Sequence, residues 1–158
     1  MPWISEQRPH ITREQIESLL DECIAQARRR ICDTPKRVLL LPPDITRMHS
    51  GAGWITEYLY NALADEALVH VIPTLGQHEP HTPEQNEQMF GSIPNEAIHP
   101  HDWRGGCVHV GEVSAEYVKE VSGGLVDWPI PIVLNSMLME ENWDFIINIG
   151  HVVPHEVL

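Results

Sequence analysis

Three short apolar runs, set apart by segments of helical periodicity, constrain this chain more than any other feature. Arg37-Val38-Leu39-Leu40-Leu41 is continuous, as expected of a strand covered on both faces, Asp144-Phe145-Ile146-Ile147-Asn148-Ile149-Gly150 again reads as a buried strand, and Leu68 to Leu75 predicts a further strand. Pro42-Pro43 stops the first run and Gly150 ends the last. Residues 1–11 read as an extended arm, and Thr12-Arg13-Glu14-Gln15 is a capping box. Ile16, Leu19, Leu20, Cys23, Ile24, Ala27 and Ile31 then recur at helical spacing to about residue 31, with Pro35 at the exit. Ile55, Tyr58, Leu59, Ala62 and Leu63 mark a second helix, and the capping box Thr82-Pro83-Glu84-Gln85 opens a third over 83–90, closed by Gly91. This alternation predicts an α/β, Rossmann-like fold with a mainly parallel sheet and helices on both faces. Residues 1–36 are the arm and helix packed on the domain, and 37–158 the domain itself.

The stretch between the third helix and the last strand is less regular. Residues 94–106 are rich in Pro, His and Gly and read as a loop. Val108 to Val113 predicts a strand, Tyr117 to Val121 fits a strand or a helical turn, and the apolar run Trp128 to Met139 is interrupted by Pro129 and Pro131.

Composition removes several function classes. The chain has 158 residues, enough for one unit with a real core. Its net charge of −13 leaves few bases to neutralise phosphates, and the only basic cluster, Arg28-Arg29-Arg30, sits at a helix end where cations suit the dipole; no nucleic-acid partner is expected. No apolar run approaches the roughly 20 residues of a membrane span, and Met1 to Glu6 lacks a secretory signal. A cytoplasmic protein with no membrane partner is expected. The three cysteines, Cys23, Cys32 and Cys107, show no CxxC spacing and read as free thiols. Histidine is abundant: nine of the ten fall between His49 and His155.

In open α/β sheets, ligands bind beyond the carboxyl ends of the strands. Three polar clusters occupy those places: Asp44-Ile45-Thr46-Arg47, Gly76-Gln77-His78-Glu79-Pro80-His81-Thr82, and Gly150-His151-Val152-Val153-Pro154-His155. Parallel strands bring Arg47, His78 and His155 to one crevice. Arginine grips carboxylates bidentately, and two imidazoles flanking a substrate can remove and return a proton on either side. Each residue also has a plainer role available. Asp44 and Arg47 close a turn equally well, His78 suits a surface loop, and His155 a helix cap. His81, His99, His101 and His151 read as solvated or capping residues. The gaps His78/His81 and His151/His155 suit a metal, but Pro154 argues against the helix that would align the second pair; no metal site is expected from this chain alone.

At these clusters the chain resembles the lactate racemase family that uses a nickel-pincer nucleotide. The matched patterns are Asp-x-Thr-Arg at Asp44 to Arg47, Gly-x-His followed by Thr-x-Glu at Gly76 to Glu84, His101-Asp102, and Pro154-His155 after the glycine-ended strand. The resemblance implies a racemase or epimerase of 2-hydroxy acids, an isomerase whose N-terminal α/β catalytic domain (37–158) meets a second domain across the active-site cleft. It implies that His78 and His155 are the acid/base pair, with Arg47 and Asp44 on the substrate-binding loop. Hydride exchange at the substrate's C2 falls to the nickel-pincer nucleotide, carried by a lysine and a nickel-ligating histidine beyond Leu158. The chain is therefore expected to bind no cofactor alone and to be inactive without its C-terminal domain, as a cloned fragment or truncated product. Five tryptophans and a bared edge favour association of copies into a homo-oligomer. One departure is that Met48-His49 follows the arginine where the family pattern has proline. Two other classes stay open: a non-catalytic carboxylate- or nucleotide-binding module, and a zinc-dependent hydrolase.

Overall fold

A computed structural model of the chain describes residues 10–31, 34–140 and 142–150. Its elements run α1 (Arg13–Ile31), β1 (Arg37–Leu41), a 3-10 turn (Ile45–Ser50), α2 (Ala52–Leu63), β2 (Leu68–Val71) and α3 (Pro83–Phe90). A short 3-10 turn (Asn95–Ala97), β3 (Cys107–Val113), α4 (Ala115–Val121), β4 (Ile130–Asn135), a further 3-10 turn (Ser136–Met139) and β5 (Phe145–Asn148) complete it.

The three strand segments form one parallel sheet in the order β2-β1-β5. Register pairs Leu40 with Val71 and Ile147, and Leu39 with His70 and Ile146. Because side chains alternate along a strand, Val38, Leu40, Val69, Val71, Phe145 and Ile147 share a face. That face packs with Ile24 of α1, Leu59 and Leu63 of α2, and Met89 and Phe90 of α3. Burial of side chains such as Phe90, Leu63 and Val38 is complete or nearly so, and each contributes about 1.5–3 kcal/mol. Contact between α2 and α3 is close enough to demand glycine: a Cβ on Gly53 would lie 2.0 Å from the Met89 carbonyl oxygen. Asp144 fixes the start of β5 against β1, accepting from the backbone N–H groups of Lys36 and Arg37 at 2.6 and 3.0 Å.

The chain is thus α/β with a mainly parallel sheet and helices around it; α1, α2 and α3 follow the periodicity closely and share the core on one face, while Ile146 on the other face of β5 is exposed. β2 is shorter than its apolar run. It stops at Val71, but the chain stays extended beside β1, with Ile72 N–H donating to the Leu40 carbonyl at 2.9 Å and Thr74 N–H to the Pro42 carbonyl at 2.7 Å. The region left ambiguous resolves into a helix and a ribbon. Tyr117 to Val121 is helical because Ser114 caps α4, its hydroxyl accepting from Tyr117 N–H at 3.3 Å. β3 and β4 pair antiparallel as a separate two-stranded sheet, in which Pro131 is tolerated opposite Glu112 because a two-stranded ribbon has open edges.

Candidate active-site cleft

The first polar cluster begins where Pro42 and Pro43 end β1. Asp44 caps the 3-10 turn that follows: its Oδ1 accepts from Thr46 N–H at 3.2 Å and from the Thr46 hydroxyl at 2.5 Å. Its other oxygen, Oδ2, accepts from His78 Nδ1 at 2.6 Å. His78 arrives from the loop after β2, which turns at Gly76 with φ 61°. The turn is held by His78 N–H donating to the Leu75 carbonyl at 3.0 Å.

Asp44 is 5% exposed. Burial alone would raise its pKa, but the hydrogen bonds from His78 and Thr46, together with the attraction of the imidazole, outweigh burial and hold the carboxyl below its ordinary range. An ionised carboxylate only accepts, so Nδ1 of His78 carries a hydrogen and Nε2 remains to take or release a proton. The His78 side chain is 63% exposed, so the dyad has a buried end and an open end.

Arg47 belongs to the same turn, and its φ −108°, ψ 23° break the helical geometry there. It is exposed, with no ion-pair partner among the described residues. Arg47, Asp44 and His78 line one cleft of about 570 Å³, which Asn148, Ile149 and Gly150 close from the end of β5. Three of the four sequence candidates therefore meet at the carboxyl ends of the parallel strands. The fourth, His155, and His151 lie outside the described residues. Asp44 does close a turn, as its plainer role required, yet it pairs with His78 rather than with Arg47. Two contributors fall outside the sequence candidates: Thr46, which holds the second carboxylate oxygen, and Asn148, whose only signal is a polar residue inside an apolar run.

The other histidines divide by what their ring nitrogens do. His81 Nε2 accepts from Ile45 N–H at 3.0 Å and its Nδ1 bonds Asn86 Oδ1 at 3.1 Å, so the ring spends both nitrogens joining the two loops. That removes the His78/His81 pair as metal ligands. His99 bonds the ring of His70. His101 Nδ1 accepts from Asn135 Nδ2 at 3.0 Å, while Asp102 accepts from Arg104 N–H and Gly105 N–H and shapes its own turn. No group of three or more His, Cys, Asp or Glu among the described residues could hold a metal ion. Cys23 and Cys107 are free thiols, and no helix among the described residues is long and apolar enough to cross a membrane.

A parallel α/β domain with a dyad, a guanidinium and a cleft beyond its strands is the class this molecule belongs to. The particular family follows from comparison. The lactate racemase N-terminal domain matches over residues 5–158, and the chain belongs to that family. A protein of Thermotoga maritima known from its crystal structure is similar, with 28% identity and a TM-score of 0.79 over 92% of this chain. The match covers 35% of that protein's length, so this chain corresponds to about a third of it. No curated protein sequence matches.

Proposed function

We propose that this chain supplies the substrate-binding and proton-handling part of a racemase or epimerase of 2-hydroxy acids, with residues 37–158 as the domain and the N-terminal helix packed on it. One observation carries the reading: a buried, ionised Asp44 holds His78 by Nδ1, and His78 lines one cleft with an Arg47 that has no ion-pair partner among the described residues. Arg47 would bind the substrate carboxylate bidentately. That places the 2-hydroxyl within reach of an imidazole acting as general base or acid. Inversion in either direction needs a second proton-handling group on the opposite side, a role assigned here to His155, five positions after the cleft-lining Gly150 in the sequence.

The family implies a nickel-pincer nucleotide in the intact protein. The described residues do not fit that group's anchorage: no three metal-ligating side chains converge, and the chain's two lysines, Lys36 and Lys119, are absent from the cleft lining. What these residues do is bind the acid, orient it and hold a proton at His78 Nε2. The test is mutagenesis in the intact protein, where His78→Ala and His155→Ala should each abolish turnover while the domain stays folded; normal turnover in either variant removes the claim. The exposed Arg47 guanidinium also suits a non-catalytic carboxylate-binding module. In that case Arg47→Ala abolishes ligand binding and the intact protein turns nothing over.

A further inference from the structure

A second pocket adjoins the cleft on the same face of the sheet. Register pairs Leu41 of β1 with Asn148 of β5, so both side chains leave the sheet on one side. Asn148 lines the catalytic-type cleft, Leu41 lines the neighbouring pocket, and Thr74 and Gly76 line both. The second pocket measures about 320 Å³, with Leu41 and Ile72 from the sheet and Leu134 and Leu138 from the end of β4 and its turn. That is roughly ten times the volume one water takes in the liquid.

Each of its polar side chains holds a partner. The Thr74 hydroxyl donates to the Pro42 carbonyl at 3.0 Å. The Asn135 amide accepts from Met137 N–H at 2.9 Å and donates to His101 Nδ1 at 3.0 Å. What the lining side chains have left is the second ring nitrogen of His101, one N–H of the Asn135 amide and the lone pairs of the Thr74 hydroxyl. A pocket of this kind offers a ligand mainly apolar contact, and it penalises a polar group that meets none of these few partners.

Resting on the function proposed above, we infer that this pocket receives the substituent on C2 of the acid, and that the preferred substrates are 2-hydroxy acids with a bulky apolar side chain rather than the methyl of lactate. With the carboxylate on Arg47 and the hydroxyl toward His78, the substituent has an apolar neighbour across the shared wall of Thr74 and Gly76.

Calorimetric titration of the full 158-residue chain with lactate, 2-hydroxyisocaproate and 3-phenyllactate tests this. The two larger acids should bind about tenfold or more tightly than lactate, as burial of the extra carbons requires. Leu134→Trp, and independently Leu138→Trp, fill the pocket and should bring all three acids within about threefold of one another. Larger acids that bind no tighter than lactate, or a preference that survives both tryptophan variants, overturn the pocket assignment. In either case the function reading stands if Arg47→Ala weakens every acid. No binding by any acid, or binding that Arg47→Ala leaves unchanged, overturns both.

Discussion

Two paired histidines, His78 in the loop beyond β2 and His70 on β2 itself, differ in a way that separates chemistry from packing. His78 is held by a carboxylate from another loop and lines a cleft. His70, on β2, is held by the ring of His99 and faces the edge of Trp143 with centroids 5.7 Å apart. Arg37 lies 4.7 Å over that tryptophan and pairs with Glu140 at 2.8 Å. An imidazole paired with another imidazole gains no fixed negative charge to steady its protonated form, and neither His70 nor His99 lines the cleft. Burial first, then His99 and Arg37, lower the His70 pKa against a smaller opposing pull from Glu140. A sequence rich in histidine thus holds rings of two kinds. The supporting group and the access to a cavity decide which kind each one is.

The largest expected effect contrasts the pairs directly. In the intact protein His78→Ala should cost about 10²-fold or more in turnover, whereas His70→Ala should leave turnover within about an order of magnitude and act mainly on stability. Steady-state rates on the two variants, with circular dichroism to confirm folding, break the distinction if the losses are reversed or equal. Next comes the carboxylate. Asp44→Asn should cost about 1.5–3 kcal/mol near neutrality, the range for hydrogen bonds to a charged group, read from urea unfolding. The folded pKa of Asp44 lies below its unfolded value, so its contribution is present above the usual carboxylate pKa and is lost as pH falls through the folded value. The difference between wild type and variant should therefore close in acid.

Much of this was legible in the residues. The unbroken apolar runs of β1 and β5 announce a parallel sheet, and the two capping boxes place α1 and α3 because each capping pattern is completed locally. Asp44, Arg47 and His78 could be gathered at one end of the sheet because parallel strands all finish on the same side. What was not legible depends on distant partners. Nothing near His81 in sequence shows that Ile45 and Asn86 occupy its ring. Nothing near Asp44 selects His78 over the adjacent Arg47. The β3–β4 ribbon was obscured because Pro131 reads as a strand breaker unless the strand is known to have an open edge.

The loop that presents His78 depends on a backbone conformation, and the His70 pair has no comparable requirement. Gly76 has φ 61° with no atom within 4 Å of where a Cβ would stand. Gly76→Ala should therefore cost about 1–2 kcal/mol from the left-handed backbone alone, with no clash to add, and thermal unfolding measures it.

The smallest effect is the pH response of the second pair. His70 has a lowered folded pKa, so between that value and its ordinary one, about 6.5, the unfolded chain binds more protons than the folded one. Stability from this residue is full above pH ~6.5 and declines as pH drops through that window. His70→Gln retains a polar partner for His99 and removes the titration, so the variant's unfolding midpoint should fall less steeply below pH ~6.5 than that of wild type. The charged groups that face the ring, Arg37 and Glu140, are common to both proteins and cancel in the difference. Parallel declines in the two would mean that the fold tolerates the charged form of His70, and the contrast with the Asp44-supported ring would then rest on access to the cleft alone.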